Sequence, residues 1–202
     1  MKSLAKQDKP ALSLRERKKI RTFTTIQQQA LRMFREQGYD ATTVEQIAAA
    51  AEVSPSTFFR YFRTKEDVVI RDLYDAMIVE TFRAQPADLS PIQAARRGIK
   101  AVFADLPDEE MASLQIRVEL ARSVPELRAA MLDELTRSLL LFAGVLAERL
   151  GCSPNDIRVR TFSGVLMGVS LAAMVAMLED PSTDVIAQFD AGLGFIEDGL
   201  KF

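Results

Sequence analysis

Apolar residues recur along most of this chain every three or four positions, the spacing that lines one face of an α-helix. Ile20, Phe23, Ala30 and Phe34 fall near one such face. This first helix opens at Ser13, three residues before Glu16, a pairing in which each side chain caps the other's free backbone N–H. It runs to about Gln37, where Gly38 stops it. Thr42 with Glu45, and Thr43 with Gln46, give overlapping caps for a short second helix ending near Ala51. Ser54-Pro55 opens a third, with proline at the first helical position, where its missing N–H costs nothing. Thr64 caps a fourth, expected to run through Val68, Leu73 and Met77 to about Arg83.

Residues 85–91 form the clearest break. Ser90-Pro91 with Gln93 opens a fifth helix to about Asp105, and Pro107-Asp108-Glu109-Glu110 a sixth to about Arg122. Ser123, Pro125 and Glu126 start a long seventh, ended near Leu150 by Gly151. Ser153-Pro154 with Asp156 starts an eighth to about Leu178, and Asp180-Pro181 a ninth. With no strand pattern and no repeat, the expected fold class is all-α with about nine helices. Its domains read as a basic arm over 1–14, a helix-turn-helix domain over 15–67 and a helical domain over 68–202.

Composition narrows the function. The 202 residues hold one cysteine, Cys152, and no histidine. Imidazole-based catalysis and His-ligated or multi-cysteine metal sites are therefore excluded. No paired-carboxylate, nucleophile–base or phosphate-loop arrangement is present, so the chain reads as no enzyme, with no cofactor and no metal. The net charge of −2 is unevenly spread: residues 1–67 carry 13 Lys and Arg against 8 Asp and Glu, and the remainder 13 against 20. A basic N-terminal third joined to an acidic remainder points to a polyanion-binding module. Phe162 to Leu178 contains no charge over 17 residues, near the lower limit for a membrane span. Its many small residues favour a buried core or dimer helix instead, and the expectation is no membrane and a cytoplasmic location.

Residues 43–65 carry the functional signal. Val44, Ile47, Ala48, Val53, Phe58 and Phe62 supply the apolar packing of two short helices joined by a tight turn at Ala51–Ser54. In a helix-turn-helix the second helix enters the DNA major groove. Ser56 and Thr57 stand where base edges would be met, and Thr43, Arg60, Tyr61, Arg63, Thr64 and Lys65 are donors suited to phosphate. The basic arm before residue 22 would add counterion-release affinity.

Here the sequence resembles the tetracycline-repressor (TetR) family over residues 15–68. The residues that match are Phe34, Gly38, Tyr39, Thr42, Thr43, Ile47, Ala48, Ala51, Val53, Ser54, Phe58, Phe59, Tyr61, Phe62 and Lys65. The resemblance implies that Thr43 and Lys65 hold phosphates, Ser56 and Thr57 approach bases, and Tyr61 meets the DNA backbone. The candidate DNA surface is Arg21, Thr42, Thr43, Ser54, Pro55, Ser56, Thr57, Phe59, Arg60, Tyr61 and Lys65. Two positions depart from the family pattern: Glu52 replaces a turn glycine, and Phe59 replaces a tyrosine. The stretch from Phe58 to Val68 also resembles an actinobacterial branch that includes the mycofactocin-type regulators, for which an acyl-thioester-like ligand is one idea.

By the same resemblance the C-terminal half would be a sensor and dimerisation domain, its last two long helices pairing with a partner's as a four-helix bundle. Gly164, Gly168 and Ala172, with Val185, Phe189, Leu193 and Ile196, are the candidate dimer interface. Met77, Phe82, Phe103, Leu114, Arg117, Met131, Leu135, Phe142, Met167 and Met174 are the candidate ligand-binding residues. The expected activity is a homodimeric repressor, released from double-stranded, palindromic operator DNA by an apolar or amphipathic small-molecule effector. The alternative is a ligand-independent DNA-binding dimer or an activator, with the C-terminal half only a scaffold.

Overall fold

The computed structural model describes residues 13–104 and 107–201. Among these the chain forms ten helices and no strand, and it divides into two compact units between Val68 and Val69. The basic arm expected over residues 1–14 lies outside the described residues except for Ser13 and Leu14.

The first unit holds α1 (Leu14–Gln37), α2 (Val44–Ala50), α3 (Pro55–Tyr61) and the start of α4 (Lys65–Ile70). Local chemistry sets the helix starts. The Thr43 hydroxyl accepts from Gln46 N–H at 3.2 Å while the Gln46 side chain accepts from Thr43 N–H at 2.9 Å, closing a capping box on α2. The Ser54 hydroxyl accepts from Thr57 N–H at 3.1 Å to cap α3, with Pro55 in its first turn. Phe23, Ile26, Ala30 and Phe34 of α1 are buried with Ile47, Ala48, Phe58 and Phe62, whereas Ile20 is exposed. The Phe62 ring stands 4.6 Å from Phe23 and 5.7 Å from Phe58, so aromatic packing fixes α3 to α1.

One expected element is divided. The fourth helix read from Thr64 to Arg83 is instead α4 and α5 (Tyr74–Arg83), broken at residues 71–73. The Asp72 carboxylate accepts from Tyr74 N–H at 2.9 Å and begins α5 anew. Arg117, distant in sequence, donates to the carbonyls of Val69 and Ile70 that the broken helix leaves open. A local aspartate–backbone bond and a long-range donor together replace the backbone bonds of a continuous helix.

The second unit continues with α6 (Pro91–Phe103), α7 (Asp108–Ser123), α8 (Pro125–Leu150), α9 (Ile157–Glu179) and α10 (Val185–Glu197). Ser90 and Gln93 close a capping box on α6. Ser123 does not cap α8: its hydroxyl turns back to the carbonyls of Glu119 and Leu120. α9 starts after Asp156 and α10 after Asp184, later than the Ser-Pro and Asp-Pro signals suggest, because these aspartates accept the first free N–H groups. α5 packs on α6, α8 on α9, and α10 on both α9 and α6. Arg96 of α6 pairs with Asp190 at 2.8 Å and Glu197 at 2.7 Å, clasping α6 to α10.

Candidate functional site

The exposed face of the first unit gathers at α3. Ser54, Pro55, Ser56, Phe59 and Arg60 are exposed, Thr57 and Tyr61 half-buried. The Ser54 hydroxyl donates to the Thr57 hydroxyl at 3.0 Å and lies 2.9 Å from that of Ser56, so three hydroxyls cluster at the start of the helix. Phe59 is 51% exposed, an apolar group turned outward where the family pattern has tyrosine. The Arg60 guanidinium sits 5.5 Å from the Tyr61 ring centre. Arg21 is exposed on α1.

Thr42 must be removed from the expected contact surface. It is 1% exposed, its hydroxyl donating to Gly38 O at 2.8 Å and accepting from Gln37 at 3.1 Å. Lys65 has a structural duty: its ammonium donates to the carbonyls of Tyr39 at 2.8 Å and Thr42 at 3.3 Å, and lies 4.0 Å from the Tyr39 ring centre. It thereby ties down the loop that presents Thr43. Tyr39 in turn donates its hydroxyl to Glu66 at 2.7 Å. Burial pushes the Glu66 carboxyl up, but this bond and its neighbours prevail and hold it below its ordinary value. At the turn, Glu52 takes a φ of 54°, the left-handed conformation that glycine adopts without cost.

The second unit holds a partly open cavity of about 210 Å³. Phe103, Leu114, Arg117, Met131, Leu135, Phe142, Met167 and Met174 all line it. Two expected members do not. Met77 is 42% exposed on the outer side of α5, whose inner side carries Tyr74, Asp75, Ile78 and Val79. Phe82 is buried instead in the core, its ring 4.9 Å from Phe142. The polar wall went largely unread: Asp72, Tyr74, Asp75, Glu134, Ser138 and Ser170 line the cavity beside Arg117. The spacing of Met131, Glu134, Leu135 and Ser138 on α8 was the available signal for two of these.

Arg117 is buried. It donates to Val69 O at 2.5 Å, to Ile70 O at 2.9 Å and to the Asp72 carboxylate at 3.1 Å. The Tyr74 hydroxyl donates to Glu110 at 3.0 Å, and burial with that carboxylate pushes its pKa well above the ordinary value. Ser138 donates to Asp75 at 2.7 Å.

The expected dimer face is corrected in part. Val185, Phe189 and Leu193 are buried in their own chain's core, Val185 and Phe189 lining the cavity, and Ile196 is half-buried. The apolar stripe of α10 is therefore intrachain packing. On α9, Gly168 and Ala172 are exposed and Gly164 half-buried, with Leu171 and Val175 exposed beside them. Among the described residues α9 is the one helix long and apolar enough to cross a membrane, yet only 22% of its most apolar stretch is buried.

Comparison with known proteins follows this division. A family model described as "Bacterial regulatory proteins, tetR family" matches residues 26–71, and one described as "MftR C-terminal domain" matches residues 89–201. The HTH-type transcriptional regulator TcmR of Streptomyces glaucescens is 34% identical over 164 residues, 77% of this chain and 73% of its own. The fatty acid metabolism regulator protein of Bacillus subtilis (strain 168) is 24% identical, over 85% of this chain and 91% of its own. Among solved structures, Thermus thermophilus FadR, a TetR-family transcriptional repressor in complex with lauroyl-CoA, superposes with a TM-score of 0.56 at 24% identity. That match covers 89% of this chain and 95% of that one, and it shows a shared fold.

Proposed function

The chain belongs to the TetR family of bacterial transcriptional regulators, and from that premise we propose that it is a cytoplasmic, homodimeric repressor. It leaves a palindromic operator when a small apolar or amphipathic molecule fills the cavity of its C-terminal unit. The observation that carries this reading is the double attachment of Arg117, which lines the cavity and also holds the last carbonyls of α4. α4 carries the chain from the helix-turn-helix unit into the second unit.

In this account α3 enters the major groove. Ser56 and Thr57 meet base edges, and Phe59 offers apolar contact to a thymine methyl. Arg21, Thr43, Arg60 and Tyr61 face phosphates, which fix register without reading sequence. Lys65 acts by holding the Thr43 loop in place. The outer face of α9, with Gly164, Gly168, Leu171, Ala172 and Val175, is covered by the same face of a second copy, because small residues admit close helix approach. The exposed apolar character of α9 is the support for pairing there.

Release is a population shift. A ligand that perturbs Arg117 favours an arrangement of α4 in which the two α3 helices no longer match successive grooves. It must bind that arrangement better than the DNA-competent one, and operator DNA must weaken ligand binding by the same factor. Footprinting on DNA upstream of the protein's own gene tests the reading. Two protected half-sites with centres about 34–36 Å apart support it. Weak protection without sequence preference, from protein that mass spectrometry finds free of ligand, overturns it.

A further inference from the structure

We propose that the C-terminal cavity takes a compact amphipathic cation, a lipophilic amine whose nitrogen sits on Asp75 and whose apolar body fills the aromatic and aliphatic wall. The inference rests on reading that cavity as the sensor site, and it names the charge and size of the effector.

The charged groups of the wall are Asp72, Asp75, Glu134 and Arg117, three acids against one base. Arg117 is already engaged: its Nε donates to Val69 O and its Nη2 to Ile70 O and the Asp72 carboxylate, and its side chain is 8% exposed. That pair cancels one acid. Glu134 is paired with Arg137 of the same helix, whose side chain is half exposed. Asp75 differs from both: it accepts from the Ser138 hydroxyl at 2.7 Å, and no ion pair joins it to an arginine or lysine among the described residues. The cavity therefore presents one carboxylate outside any ion pair among the described residues, in a wall otherwise mostly apolar.

Electrostatics agree with this geometry. Burial raises the pKa of the Asp75 carboxyl, the nearby charges of Asp72 and Glu134 act in the same sense, and the Ser138 bond and Arg137 oppose them. A cation beside Asp75 supplies the partner that a buried charge requires. Tyr74 and Phe103, 5.1 Å apart between ring centres, stand on the same wall, and aromatic faces attract cations further. An anionic head placed beside Asp75 would meet the repulsion of that carboxylate. The volume of about 210 Å³ is below the roughly 300–1,000 Å³ of drug-sized pockets, so the ligand is small.

Displacement of the neutral fluorescent dye N-phenyl-1-naphthylamine by three probes of one shape tests this: 4-phenylbutylamine, 4-phenyl-1-butanol and 4-phenylbutyrate. The amine should displace the dye at a concentration at least about tenfold below the carboxylate, with the alcohol between them. In Asp75→Asn, checked for helical content by circular dichroism, the amine should fall to the level of the alcohol while the dye still binds. A carboxylate that matches or beats the amine overturns the proposal, as does an amine preference that survives Asp75→Asn. In either case dye binding leaves the sensor reading standing. Failure of the dye and of all three probes to bind overturns the sensor reading itself, and the proposal with it.

Discussion

The guanidinium of Arg117 donates from Nε to the carbonyl oxygen of Val69 at 2.5 Å, tying the middle of α7 to the last turn of α4. The same side chain takes Ile70 O and the Asp72 carboxylate. A planar group with several fixed donors suits this duty, since three acceptors within residues 69–72 converge on it. A cation at a helix C-terminus also opposes the negative end of the helix dipole. The helix that leads out of the DNA-binding unit is thus ended by a residue of the cavity wall.

Glu52 holds a left-handed backbone conformation at the turn between α2 and α3. An L-residue is disfavoured there by about 1–2 kcal/mol, offset in part by the greater chain entropy that glycine loses on folding. Glu52→Gly should therefore stabilise the first unit by roughly 1 kcal/mol. Urea denaturation followed by circular dichroism measures it. A midpoint unchanged or lower in Glu52→Gly would mean that the glutamate makes a compensating interaction.

The clasp between α6 and α10 gives a pH dependence. Hydrogen bonding to Arg96 is the largest influence on Asp190 and holds its pKa at about 2, below the ordinary aspartate value of about 3.9. The native state therefore binds its proton more weakly than the unfolded chain. Its contribution is complete above about pH 4 and is lost as the pH falls toward 2. Stability measured by denaturant titration at pH 6, 4 and 3 should decline through this range. Asp190→Asn should be less stable at pH 6 and decline less steeply. Equal slopes for the two proteins would remove Asp190 from the acid sensitivity.

Leu171 is 45% exposed and Val175 43%, one helical turn apart on the outer face of α9. If a second copy covers them, Leu171→Glu with Val175→Glu buries two like charges at the interface and should convert the dimer to monomer in sedimentation velocity. Helical content should remain, because neither side chain belongs to the buried core. Operator affinity should fall by at least about tenfold, since two reading heads are no longer joined. A dimer that persists in this variant would place the interface elsewhere.

The helix starts were legible because their causes are local. Thr43 with Gln46, Ser54 with Pro55, and Ser90 with Gln93 each act within three residues. The break after α4 was not legible, because it depends on Arg117, 45 residues beyond Asp72 in the chain. Hydrophobic spacing located the inner faces of α1 and α10 but could not say which partner covers an apolar stripe. Val185, Phe189 and Leu193 consequently looked like dimer contacts and are intrachain core. The cavity's methionines, with Phe103 and Phe142, were found by their type and helical placement, whereas Tyr74 and Phe189 were not. Its carboxylates were missed because a carboxylate facing a cavity and one facing solvent look alike in sequence. Thr42 matched a motif that says nothing of the direction of its hydroxyl, which turns inward to Gly38.

The central claim is that the cavity wall controls DNA binding through Arg117 and α4. Fluorescence anisotropy on the footprinted operator, titrated with salt, tests it with Arg117→Lys, which keeps the charge but not the fork of donors. The account predicts an affinity about tenfold weaker than the unaltered protein's, with the same salt slope because the phosphate contacts are untouched. Equal affinity, in a variant whose thermal unfolding shows the C-terminal unit intact, would contradict it.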